Sequence, residues 1–166
     1  MLPIHDYEFL PASTKVCSQQ LWVAELLALT NQRNINQLGI FLSEQFPTIC
    51  QRKKHSKYFY KKQRGETIRN RRFVFDLDRK LPGTARMLFN PLWALLTNKQ
   101  LTEAEALAYA AYLPLGIRRF FMRQNFSTLK CDRKSIFSLA GSNSIDGLAA
   151  LLLLYLRKDC EHATYL

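Results

Sequence analysis

The chain has 166 residues, 48% of them hydrophobic and 22% charged, with 24 Lys and Arg against 13 Asp and Glu and a net charge of +11. The length fits one domain, or a small domain with an appendage. An ordinary apolar fraction with only six Gly and six Pro excludes wholesale disorder and a collagenous or low-complexity chain. A surplus of +11 repels itself and is most easily sustained beside a polyanion: nucleic acid, an anionic membrane or an acidic protein.

The first residues, Met1 to Glu8, hold no basic cluster and no apolar run, so no secretory signal is expected. The longest apolar run, Leu148 to Leu156, has nine residues, far short of the ~20 that span a bilayer, and reads as a buried helix. A soluble, cytoplasmic protein is expected. Cys17, Cys50, Cys131 and Cys160 form no CxxC pair, and Cys160 with His162 lacks a second ligand pair, so reduced, mostly buried thiols and no metal or cofactor are expected.

The elements read as helices throughout. Residues 17–30 put Leu21, Trp22, Leu26 and Leu29 on one face with Glu25 opposite, and Thr14 or Ser18 is available as a cap. Residues 34–46 repeat the pattern with Ile35, Leu38, Phe41, Leu42 and Phe46, and Pro47 ends it. Residues 49–64 form a third helix with Gly65 at the position that follows a helix end. Residues 67–80 form a fourth, with Ile68, Phe73 and Leu77 inward and Pro82-Gly83 closing it. Pro91 divides 84–97 into two short helices. Thr102-Glu103-Ala104-Glu105 is a capping box for a helix at 103–113, where Thr102 bonds the third amide and Glu105 reaches back. Pro114 precedes a helix at 115–124, and a last helix spans 144–159, with Asp146 in its first turn and Arg157 and Lys158 in its last. The expected fold is an all-α multi-helix bundle. Residues 1–81 are the basic part and 82–166 the apolar core or assembly part, the two forming separate regions or one compact domain.

Between Arg52 and Lys80 stand twelve Lys and Arg against three acids, so this segment holds most of the chain's surplus. Tyr58, Phe59, Tyr60, Phe73 and Phe75 are interleaved with them. A dense cationic stripe binds polyanions through counterion release, and Tyr58 or Tyr60 can give a hydroxyl to a phosphate or stack on a base, with Phe59 in the core. Like charges three and four residues apart destabilise a bare helix, which argues for a partner. A membrane-surface helix would need bulky apolar residues opposite the charges, and 49–64 offers few, so nucleic acid is expected and membrane is not. A second cluster is Arg118, Arg119, Arg123, Lys130, Arg133 and Lys134, with Phe120, Phe121 and Phe126 among them. The candidate nucleic-acid-binding residues are Arg52, Lys53, Lys54, Lys57, Tyr58, Lys61, Lys62, Arg64, Arg69, Arg71, Arg72, Arg118, Arg119 and Arg123.

The succession of helices at 17–30, 34–46 and 50–64, followed by Arg64-Gly65-Glu66 and another helix, resembles the lambda-repressor-like helix-turn-helix regulators over residues ~17–80. The resemblance implies that Asn36–Phe46 is the supporting helix and that the helix holding His55, Lys57, Tyr58 and Lys61 enters the major groove. The chain departs from that family in the long Phe46–Arg52 connection containing Pro47, and in Thr67-Ile68-Arg69-Asn70 where a Pro-Ser commonly follows.

Phe73-Val74-Phe75-Asp76-Leu77-Asp78 resembles the first motif of haloacid-dehalogenase-type phosphatases, but Arg79 stands in the glycine position and no later acidic motif follows. His5, His55 and His162 are scattered; only His55, among lysines, suits acid–base chemistry in a metal-independent ribonuclease. The expected function is non-catalytic nucleic-acid binding through segment 52–80, with DNA favoured over RNA. The alternative is a small helical subunit of a ribonucleoprotein or defence complex whose apolar C-terminal half docks on protein partners.

Overall fold

The computed structural model describes residues 7–50, 55–66, 68, 70–122, 129 and 132–157. Among them the chain is all α, with no strand and only the isolated bridges Leu101–Arg157 and Met122–Leu129. The helices are α1 (Ala12–Leu29), α2 (Ile35–Gln45), α3 (His55–Gln63), α4 (Arg71–Asp78), α5 (Thr84–Leu88), α6 (Leu92–Leu95), α7 (Glu103–Ala111), α8 (Leu115–Phe121), α9 (Arg133–Ala140) and α10 (Ile145–Leu156). None is long and apolar enough to cross a membrane. They fall into two units, Pro11–Leu88 and the part that begins at Phe89, to which Tyr7–Leu10 also belong. The division thus lies after Leu88 rather than near Pro82, because α5 packs on α1 and α4.

In the first unit, α1 starts five residues earlier than the sequence pattern indicates. It follows Pro11, with no side-chain cap, and the Ser18 hydroxyl donates instead to the Lys15 carbonyl at 2.9 Å. Its buried face is Ser18, Gln19, Trp22, Val23 and Leu26, while Leu21 and Leu29 are exposed. Asn34 caps α2, accepting from the Gln37 amide at 3.0 Å, and Ile35, Leu38 and Leu42 are buried as expected. α2 meets α3 at backbone distance: a methyl group on Gly39 would lie 2.9 Å from the Ser56 nitrogen, so only glycine fits. Asn70 caps α4, accepting from Phe73 at 3.1 Å. The Asp76/Asp78 segment is therefore helical, not a strand. Asp78 accepts from the Ala85 amide at 2.8 Å and opens α5, while Asp76 is salt-bridged to Arg79 at 2.9 Å.

In the second unit, α10 is the central element, packed against α6, α7, α8 and α9. Leu153, Leu154, Ala149 and Ala150 meet Leu95, Leu101, Ala106, Ala110 and Phe121 in its core. The capping box of α7 is formed: Thr102 Oγ1 accepts from the Glu105 amide at 3.3 Å and Glu105 accepts from the Thr102 amide at 2.8 Å. α9 was not legible as a helix. It opens on Asp132, which accepts from Ser135 at 2.7 Å, and ends at Gly141. Ser144 caps α10, accepting from Gly147 at 3.0 Å. Arg157 lies just past α10 in extended backbone and pairs with Glu103, beside the Leu101 amide bonded to the Leu156 carbonyl at 2.7 Å. Lys158 lies outside the described residues.

Asn90 ties two of these helices together. It is fully buried, donates to Asp146 Oδ1 at 2.9 Å and accepts from the Leu92 amide at 3.0 Å, so one side chain opens α6 and satisfies a buried carboxylate on α10. Replacing Asn90 with Ala removes one buried bond from each partner. Urea unfolding is expected to show a loss of about 1–3 kcal/mol, since a buried carboxyl loses one donor and the Leu92 amide its acceptor. A loss below ~0.5 kcal/mol would show that neither bond matters.

Among the cysteines, Cys17 is exposed and Cys50 buried, whereas Cys131 and Cys160 lie outside the described residues. Burial pushes the Cys50 thiol up to about 11, so it stays protonated and unreactive at neutral pH. Alkylation read by peptide mass spectrometry should mark Cys17 in the folded protein and Cys50 only after denaturation. Equal labelling of both would contradict this burial.

Candidate nucleic-acid interface

The surface of α3 follows from what its other side buries. Phe59 is fully buried against Trp22 of α1, with ring centroids 5.8 Å apart, and Phe73 of α4 stands 6.2 Å from Phe59. Tyr58 packs edge-on against Phe59 at 5.4 Å and Phe73 at 5.2 Å. Truncating a ring like Phe59 generally costs about 3–5 kcal/mol, so this aromatic cluster fixes the rotation of α3.

The helix end reinforces the same rotation. Gly65, at φ +87, takes the left-handed conformation that ends a helix, and its amide donates to the Lys62 carbonyl at 2.9 Å. The Glu66 amide donates to the Lys61 carbonyl at 2.9 Å. Lys62 is only 5% exposed; its ammonium donates to the Glu66 carbonyl at 2.8 Å and sits 5.1 Å from the Tyr58 ring centroid. Gln20 of α1 donates to the Gln63 carbonyl at 3.1 Å. A side chain on Gly65 would collide with Val16, so the turn lies directly on α1.

With Phe59 and Lys62 inward, the opposite face carries Lys57, Tyr60, Lys61 and Arg64, at spacings of three, four and seven residues, all exposed. From Lys57 to Arg64 this face runs about 10 Å along the axis. Lys61 pairs with Glu66 at 3.1 Å, an exposed contact of small value. Lys57 and Arg64 have no ion-pair partner among the described residues.

The expected site residues therefore divide. Lys57, Lys61 and Arg64 stand together on the surface. Lys62 and Tyr58 do not: the first closes the helix end and the second joins the aromatic cluster, with its hydroxyl oxygen buried. Tyr60, named in the sequence only as an alternative to Tyr58, is the tyrosine on the cationic face. Arg71 is half-buried, and Arg72 is 91% exposed, 3.7 Å from Asp76. Arg118 is half-buried with its Nε enclosed, and Arg119 is exposed over the Phe120 ring at 5.3 Å. Arg52, Lys53, Lys54, Arg69 and Arg123 lie outside the described residues, as do His5, His162 and Lys130. His55 is the first residue of α3.

The described residues that follow α2, Phe46 to Cys50, are five non-helical positions, against three or four in the turn of a helix-turn-helix unit. Comparison with family models, curated proteins and solved structures finds no match to the chain.

If Lys62 is a structural cation, replacing it should lower stability rather than surface charge effects. Lys62→Ala is expected to cost about 1–3 kcal/mol in urea unfolding, and Lys57→Ala less than ~0.5 kcal/mol. Equal effects would contradict the assigned burial of Lys62.

Proposed function

We propose that this chain is a non-catalytic nucleic-acid-binding protein that grips the phosphate backbone with the outer face of α3. The observation that carries the reading is the alignment of Lys57, Lys61 and Arg64 on one exposed face, two of them without a neutralising acid among the described residues. Each phosphate contact releases condensed counterions, which favours binding most where cations are concentrated and unpaired. Arg72 lies in the same unit and extends the cationic set.

The contacts are to phosphates rather than to base edges in the major groove. A reading helix is set into the groove by a tight turn of three or four residues from its supporting helix, whereas the described chain after α2 already runs through five non-helical residues, Phe46 to Cys50, with Pro47 among them. A nucleic acid suits this face better than a lipid surface. Its exposed members are three cations and one tyrosine, without the aliphatic residues that an interfacial helix buries among acyl chains.

A second reading is favoured by α10. Leu148 is 55% and Tyr155 64% exposed, seven residues apart on one face, with Leu151 and Leu152 half-buried between them. An apolar outer stripe of this kind fits a subunit of a larger ribonucleoprotein assembly, in which the second unit docks on a protein while α3 holds the nucleic acid.

The test is fluorescence anisotropy with labelled nucleic acid across a salt series. Lys57→Gln, Lys61→Gln and Arg64→Gln are each expected to flatten the plot of log affinity against log salt by about 0.7–0.9, with the triple variant losing roughly 2–3. Circular dichroism should be unchanged. Wild-type affinity in the folded triple variant would overturn the assignment of this face. No binding of the wild type at low salt would overturn the nucleic-acid reading itself.

A further inference from the structure

We infer that the nucleic acid taken by the α3 face is single-stranded, and that one of its bases stacks on the ring of Tyr60. This rests on the proposed phosphate-binding role of Lys57, Lys61 and Arg64 and adds the class of strand.

Five aromatic side chains interleave the basic segment, and the fold treats one of them differently. Phe59 and Phe73 are buried, Tyr58 and Phe75 half-buried, and Tyr58, Phe59 and Phe73 are engaged with one another as rings. Tyr60 is 39% exposed, and its side chain has no hydrogen bond, ion pair or ring contact among the described residues. It lies three residues after Lys57 and four before Arg64, so both are its direct neighbours on the helix surface, with Lys61 beside it. A ring without partners among the described residues is therefore framed by cations on one exposed face.

Such a face distinguishes strands by what each presents. A duplex shows phosphates on its outside and hides the faces of its bases in the stack. The cations would engage it, and the tyrosine would add at most a hydroxyl contact to a phosphate. An unpaired strand offers phosphates and free base faces together. There the ring adds a stacking contact, which every base can make because every base has a π-face, so the preference is for strandedness and not for sequence. The hydroxyl is dispensable in this scheme and the ring is not.

The experiment uses the full chain, with a fluorescein-labelled single strand of about 15 nucleotides in DNA and RNA forms and the corresponding duplexes as probes. The expected wild-type result is tighter binding of single strands than of duplex. Tyr60→Ala should weaken single-strand binding roughly 5- to 100-fold and leave duplex binding and the salt slope unchanged. Tyr60→Phe should bind single strands as the wild type does. Tyr60 is exposed, so both variants should retain the wild-type circular dichroism and unfolding midpoint. Three results would overturn the inference: tighter wild-type binding to duplex, an equal loss for both strand types in Tyr60→Ala, or a loss in Tyr60→Phe as large as in Tyr60→Ala. The last would make Tyr60 a hydroxyl donor to phosphate. Failure of the underlying reading looks different: the Lys57/Lys61/Arg64 glutamine variant would then bind as tightly as the wild type, whatever Tyr60 does.

Discussion

The seating of α3 by Phe59 and Lys62 is the constraint on which the character of the first unit depends. A helix of nine residues has little stability of its own, and this one carries like charges four residues apart at Lys57 and Lys61. It is held by its inner face: Phe59 against Trp22 and Phe73, Gly39 against Ser56, the glycine turn at residue 65 lying on Val16, and the Lys62 ammonium on the Glu66 carbonyl. Because helical side chains repeat every 3.6 residues, burying Phe59 and Lys62 leaves Lys57, Tyr60, Lys61 and Arg64 nowhere to go but outward. The cationic face is thus a product of the core beneath it.

Charge is treated unequally across the molecule. Asp76 stands between Arg72 and Arg79, Glu66 takes Lys61, and Glu103 takes Arg157. Glu66 reaches Lys61, and among the described residues no acid pairs with Lys57 or Arg64. Lys62 shows the opposite use of a cation: buried, bonded to a carbonyl and set over a tyrosine ring at a helix C-terminus, where the backbone carbonyls favour positive charge. In the second unit polar groups are paired inside the core, with Asn90 and Asp146 joining α6 to α10, and apolar side chains are left outside on Leu148 and Tyr155.

Much of the helical layout was legible because it is written in local chemistry. Pro47, Gly65, Pro82-Gly83, Pro91 and Pro114 end or divide helices through their own backbone restrictions, and Thr102 with Glu105 declares a helix start by itself. What was not legible depends on rotation and depth. α1 holds Leu21, Trp22, Val23, Leu26, Leu27 and Leu29, apolar nearly all round, so periodicity alone does not choose the buried side. Tyr58, Phe59 and Tyr60 are consecutive and sweep about 200° of the helix, so only packing against Trp22 and Phe73 decides that Tyr58 turns in and Tyr60 out. Sequence alone groups Lys62 with the surface cations because a lysine is seldom buried without a partner, and its partner is a carbonyl positioned by the turn at Gly65. α9 is short and interrupted by serines, and its only sequence signals are the Asp132 cap and Gly141.

The central claim is that nucleic acid covers the outer face of α3, and lysine footprinting tests it most directly. The folded chain would be acetylated briefly with and without a single-stranded oligonucleotide, and each lysine read by peptide mass spectrometry. Lys57 and Lys61 should lose reactivity on binding, while exposed Lys99 in the second unit stays unchanged and buried Lys62 is unreactive in both states. Unaltered reactivity at Lys57 and Lys61 under conditions where the oligonucleotide is bound would place the contact elsewhere and contradict the account.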